Sequence, residues 1–161
     1  MRQQPRLIEV NSEAQYLEAA SLFQTYFDTL DVPACFRNFD HELANLPEVY
    51  APPNGTIVLA YLDDTVAGCC AVRLLQEVNY SNACEMKRLF VLPGFRGTGI
   101  GRDLAESVIT FARDAGYEHL LLDTLDEMET ARELYQDLGF IEIEPYYHNP
   151  IPGAHYLMVK L

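Results

Sequence analysis

The spacing of hydrophobic and polar positions changes several times along the chain. Arg6 to Val10 alternate weakly, as a first strand does. Ser12 and Gln15 form a Ser-x-x-Gln capping box that opens a helix. Leu17, Ala20, Phe23, Phe27 and Leu30, with Leu22 in part, then recur at helical spacing to about Asp31, and Pro33 closes the run. Asp40 to Leu46 reads as a short second helix, followed by a loop marked by Pro47, Pro52 and Pro53. A β-hairpin comes next, with β-rich Thr56–Leu62, turn residues Asp63 and Asp64, and a return strand Thr65–Leu75. After a loop at Asn79–Asn82, Cys84 to Leu92 forms a strand that ends at Pro93-Gly94.

A glycine-rich segment then leads into a helix with Ile100, Leu104, Val108 and Phe111 on one face and Gly116 at its C-terminal end. His119 to Asp123 is a short buried strand. Glu129 to Leu138 is a helix stopped by Gly139, Ile141 to Glu144 alternates as a strand, and Ala154 to Leu161 supplies the last strand. The order is β-α-α-β-β-β-α-β-α-β-β. Antiparallel hairpins come first and a β-α-β-α unit follows, which predicts a mixed α/β sheet.

Length and composition keep this picture simple. A chain of 161 residues with no linker, repeat or low-complexity stretch reads as one domain over 1–161. The first six residues lack the apolar core of a signal peptide, and the apolar runs are too short to span a bilayer. Cys35, Cys69, Cys70 and Cys84 show no metal-ligand spacing, which suits reduced thiols in a cytoplasmic protein that binds no metal. The net charge of −13 argues against nucleic acid and anionic membranes as partners. Within this acidic chain, the stretch from Met86 to Arg102 holds Lys87, Arg88, Arg96 and Arg102 and no acid, so an anion is steered there.

That stretch contains the candidate chemistry. In Arg96-Gly97-Thr98-Gly99-Ile100-Gly101, the turn into the helix presents backbone N–H groups that no helical carbonyl uses, at the positive end of the helix dipole. The glycines let a phosphate approach the backbone, Thr98 offers a hydroxyl, and Arg96 and Arg102 add charge, so a diphosphate is the natural ligand. A P-loop would need a lysine here, and there is none. A dinucleotide fingerprint would need its third glycine where Arg102 stands; Asp123 imitates the ribose-binding acid, but a strand carrying Glu85, Lys87 and Arg88 is a poor buried parallel strand.

The same residues resemble the GNAT superfamily of acetyl-CoA-dependent N-acetyltransferases. Arg96 to Gly101 fits that family's Gln/Arg-x-x-Gly-x-Gly/Ala signature and follows the strand Glu85–Val91 and Pro93 at the family's spacing. Ala131-Arg132-Glu133-Leu134-Tyr135-Gln136-Asp137-Leu138-Gly139-Phe140 resembles its second motif, Ala-x-x-Leu-Tyr-x-x-x-Gly-Phe. Pro145-Tyr146-Tyr147-His148-Asn149-Pro150 resembles a bacterial subgroup of the family. Met128 stands where the family often has Asn.

The resemblance implies a GNAT fold with a mostly antiparallel sheet of about seven strands and a splayed central pair. It implies acetyl-CoA as donor, the pyrophosphate held by Arg96, Gly97, Thr98, Gly99, Ile100, Gly101 and Arg102, and pantetheine amides paired with the backbone of Leu89, Phe90 and Val91. Tyr135 takes the place of the acid beside the thioester sulfur. An amine must also lose a proton before it attacks. Glu85 is the candidate base because it lies on the strand that carries the acetyl group, and pairing with Lys87 would weaken it. Alternation puts Glu85, Lys87 and Leu89 on one face and Met86, Arg88 and Phe90 on the other. His148 sits in a proline-stiffened aromatic loop that either shapes the acceptor pocket or packs on the sheet or a second subunit, and the acidic residues from Asp123 to Glu129 read as a solvated face. The acceptor expected is a small-molecule amine or amino acid, with a peptide or protein amine, a homodimer and a silent acyl-CoA-binding module left open.

Overall fold

The computed structural model describes residues 3–30, 39–125, 129–147 and 152–161. Pro33, Cys35, Asp126, Glu127, Met128 and His148 lie outside them. The elements are β1 (Arg6–Glu9), α1 (Glu13–Asp28), α2 (Phe39–Ala44), α3 (Leu46–Val49), β2 (Thr56–Leu62), β3 (Thr65–Leu75), β4 (Ala83–Val91), α4 (Ile100–Asp114), β5 (His119–Leu125), α5 (Glu129–Asp137), β6 (Ile141–Ile143) and β7 (Ala154–Lys160). The strands form one seven-stranded sheet in the order β1-β2-β3-β4-β5-β7-β6. Every neighbouring pair is antiparallel except β4 and β5. This is the mixed sheet that the periodicity predicts. Among the described residues, α3 is a helical turn that it does not foresee, with Pro47 in the first turn, a position that needs no N–H.

Helices cover both faces of the sheet, so its central strands read as continuous apolar runs. In β2, Val58 and Ala60 face the layer that contains Leu104 and Val108 of α4, while Ile57 and Leu59 face Phe23 and Phe27 of α1. The α1 cap forms as its sequence dictates: Ser12 Oγ accepts from Gln15 N–H at 3.3 Å, and Gln15 reaches back to Asn11 N–H at 2.8 Å. The buried stripe of α1 is Ala19, Leu22, Phe23 and Phe27, whereas Leu17 is 67% exposed. The stripe is thus rotated away from Leu17, with Tyr16, Ala20, Tyr26 and Leu30 packed at its edges.

Two irregularities in β4 make the site. The first is a bulge: Cys69 faces Phe90 while Ala71 faces Lys87, so β4 carries one extra residue against β3. Arg88 sits there with φ 61, in the left-handed region. The bulge reverses the alternation, which corrects the face assignment drawn from period two. Met86 precedes the bulge and Leu89 and Val91 follow it, yet all pack on the α4 side, while Phe90 packs on the α1 side.

The second irregularity is a parting of strands. The parallel ladder of β4 and β5 runs only from Ala83↔His119 to Glu85↔Leu121. Beyond it β4 stays with β3 as far as Val91↔Gly68, and β5 stays with β7 as far as Leu125↔Ala154. A cleft opens between them.

Candidate active site

The cleft is lined by Met86, Lys87, Arg88 and Leu89 of β4 and by Leu122, Asp123, Thr124 and Leu125 of β5, with Tyr26, Ala131 and Tyr135. Because the two strands no longer pair here, their facing backbone groups are turned toward the slot rather than toward each other. A linear amide-bearing ligand can take up those bonds as an added strand does. One group is already engaged: the Val91 carbonyl accepts from Arg96 Nε at 2.9 Å.

At the mouth, β4 runs through a 3-10 turn (Pro93–Phe95) into α4. Gly97 and Gly99 have φ 78 and 87, values that an L side chain adopts only under strain. The first helical bond of α4 is Asp103 N–H to Gly99 O at 3.1 Å. The N–H groups of Ile100, Gly101 and Arg102 therefore emerge at the helix end without a helical acceptor. A Cβ built on Gly97 would meet nothing within 4 Å, so the approach to this backbone is open. The Arg96 guanidinium lies 5.7 Å from the Phe90 ring centroid, and Arg102 is loosely tied to Glu106 and Asp137 at 3.4 and 3.3 Å. The Thr98 hydroxyl donates to Phe95 O at 2.6 Å and so braces the turn instead of standing ready for a ligand. Backbone donors, dipole and two arginines fit a diphosphate.

Tyr135 projects from α5 into the slot and rests against Phe140, ring centroids 5.5 Å apart. Burial pushes its hydroxyl well above the usual tyrosine range, and Cys70, Tyr26 and Asp123 act in the same direction. It keeps its proton at neutral pH. Glu85 stands where the β4–β5 ladder ends and is almost wholly buried, at 2% exposure. Its Oε1 accepts from Arg73 Nε at 2.9 Å, its Oε2 accepts from the Tyr146 hydroxyl at 2.7 Å, and Lys87 Nζ is 3.8 Å away. The pairing that the sequence raised is therefore with Arg73 first and Lys87 second.

Residues 17–140 match the profile of the Acetyltransferase (GNAT) family. This chain belongs to that family. It is 39% identical to an uncharacterized N-acetyltransferase of Schizosaccharomyces pombe over 141 residues, 87% of this chain and 85% of the relative. It is 33% identical over 113 residues to the N-acetylaspartate synthetase of Rattus norvegicus, which covers 70% of this chain and 37% of that protein. Among solved structures, YncA of Salmonella typhimurium with its cofactor acetyl-CoA superposes with a TM-score of 0.74 at 13% identity, over 98% of this chain and 94% of that one. The chain is thus an acyltransferase of the GNAT family, a family that uses acetyl-CoA.

The place of Asp123 and the partner of Arg88 were not foreseen, and the aromatic loop raised from the sequence meets the cleft through Tyr146 and Tyr147. Asp123, read from the sequence as part of a solvated acidic face, is half-buried, lines the cleft and accepts from the Tyr147 hydroxyl at 2.9 Å. The rings of Tyr146, Tyr147 and Tyr156 meet edge to face at 5.3–5.6 Å, so the segment after β6 is pinned to both walls of the cleft. Arg88 points the other way, into α2, where Glu42 receives it at 2.9 and 2.6 Å and also accepts from Tyr50 at 3.0 Å. Burial pushes the Glu42 carboxyl upward, but Arg88, with Lys87 and Tyr50, outweighs it and the net shift is downward. The charged residues Glu85, Lys87 and Arg88 near the bulge were visible in sequence; which charge meets which was not. Among the described residues, no group of three or more His, Cys, Asp or Glu could hold a metal ion, and no helix is long and apolar enough to cross a membrane.

Proposed function

We propose that this GNAT enzyme moves the acetyl group of acetyl-CoA to the primary amine of a small molecule or amino acid, by direct attack in a ternary complex. The observation that carries the reading is placement: β4, one wall of the slot that Tyr135 enters, runs on through a turn into the glycine-rich helix end, and Glu85 stands where the β4–β5 ladder stops and the slot begins. In this reading residues 96–102 hold the diphosphate and the backbone of Leu89, Phe90 and Val91 pairs with the pantetheine. Acetyl-CoA supplies the activated thioester. The amine nitrogen bonds to the acyl carbon as the carbon–sulfur bond breaks, and Tyr135 offers its retained proton to the departing sulfur. Glu85 receives the proton that the amine loses. Its oxygens are engaged, so the proton reaches it through the Tyr146 hydroxyl, which accepts one hydrogen while donating its own to Oε2. The relative named for N-acetylaspartate synthesis supports an amino acid as one acceptor within this class.

The test is calorimetric titration with acetyl-CoA, with Gly99→Glu as control, followed by free-thiol release over a set of amines. Binding that the control abolishes, together with amine-dependent thiol release, is the expected result. Binding without turnover on any amine would make the protein a silent acyl-CoA-binding module instead.

A further inference from the structure

Three cations stand close together on the β4 side of the cleft: Arg73, Lys87 and Arg88. Two are matched. Arg88 is held by both oxygens of Glu42, and Arg73 holds Glu85 Oε1 through two nitrogens at 2.9 and 2.8 Å. Lys87 differs from both. Its Nζ lies 3.8 Å from that same Glu85 oxygen, beyond hydrogen-bond reach, and its side chain, 15% exposed, lines the slot. Burial lowers its pKa from the ordinary lysine value against the pull of Glu85. A desolvated ammonium facing a cleft is stabilised by an anion placed opposite it.

The donor does not supply that anion. From Lys87 to the end of β4 the strand spans about 13 Å at ~3.3 Å per residue. The diphosphate site lies beyond that, and the arm between diphosphate and thioester is uncharged. Of the protein's own acids, Glu85 offers Lys87 only an oxygen 3.8 Å away that it shares with Arg73, and Asp123 stands on the facing strand, which leaves the acceptor as the source of a close anion. We infer that Lys87 binds a carboxylate of the acceptor, so that the substrate is an amine that also carries a carboxylate, an amino acid or its analogue, rather than a simple alkylamine. The inference rests on the acetyltransferase reading given above. Asp123, on the facing strand, puts the opposite charge on the other wall, so a zwitterion meets a complementary charge on each side. A bare alkylammonium would meet the charge of Asp123 but leave the Lys87 ammonium without a close counter-ion.

The test compares glycine, β-alanine, L-aspartate and L-phenylalanine with their carboxamides as acceptors, by thiol release at saturating acetyl-CoA. The amide's amine is less basic and more often neutral, so a preference for the acid cannot come from amine protonation. At least one acid is expected to have kcat/KM about tenfold to a hundredfold above its amide, the scale of one charge-assisted contact. Lys87→Met should raise KM for that acid by a similar factor and erase the difference between acid and amide. Lys87→Arg should restore part of it, and KM for acetyl-CoA should be unchanged in both. Equal turnover of acids and amides by the wild-type enzyme overturns this inference and leaves the acetyltransferase reading standing. An acid-to-amide ratio that survives Lys87→Met removes Lys87 from the role. Turnover of no amine at all defeats the parent reading, and this one with it.

Discussion

Arg88 is buried and charged at a left-handed bulge position, and Glu42 compensates the buried charge. Removing one partner of a buried ion pair leaves the other without compensation, which costs about 3–5 kcal/mol. Glu42→Ala is therefore expected to lose stability on that scale in urea unfolding. At Tyr135 the expected loss is of rate: Tyr135→Phe should lower kcat on the order of a hundredfold, with KM for acetyl-CoA nearly unchanged. Because its hydroxyl is held well above the usual range, the wild-type rate should show no alkaline decline from this group below pH 10. If Tyr146 relays protons to Glu85, Tyr146→Phe and Glu85→Gln should each reduce kcat, and the double variant should be little worse than either one. At this scale the sequence offered residue types and positions. Glu85 and Lys87 could be named as neighbours on a strand, but Arg73, twelve residues earlier, reaches Glu85 only because β3 pairs with β4 in that register.

Elements were more legible than contacts. The α1 capping box, the α4 stripe of Ile100, Leu104 and Val108, and the glycine stops at Gly116 and Gly139 are local signals, and local physics decides them. The bulge in β4 is not local. It depends on how Cys69 and Ala71 of β3 meet Phe90 and Lys87, so no period in the β4 sequence marks it. The same contact makes Gly68 exacting: a Cβ there would come within 2.6 Å of Phe90 O and 3.3 Å of Val91 Cα. Backbone cannot swing aside as a side chain does. Gly68→Ala is expected to destabilise the protein by about 1–3 kcal/mol and to weaken acetyl-CoA binding, because it pushes the exit of β4 toward the slot. Urea unfolding and calorimetry read the two effects separately.

For the molecule as a whole, the buried protonated groups set a limit on the alkaline side. Burial pushes the Cys84 thiol from 9.0 to about 12. Below pH 9 the thiol is protonated whether the chain is folded or not. Above it the unfolded chain ionises first, so stability falls as pH rises from 9 toward 12. Cys84→Ala should flatten that decline in unfolding curves taken across the range. The strand order carries a consequence in time. β7 lies between β5 and β6, although it follows both in the chain, and its pairs with β5 run from Leu125↔Ala154 to His119↔Lys160. During synthesis, the phosphate turn and both parted strands leave the ribosome well before residues 154–160 do. Until those arrive, β5 has three bonded residues on one side and an open edge on the other. A nascent chain stalled short of them would display the donor loop beside an unsupported β5 wall, so activity would appear only once β7 has paired with β5.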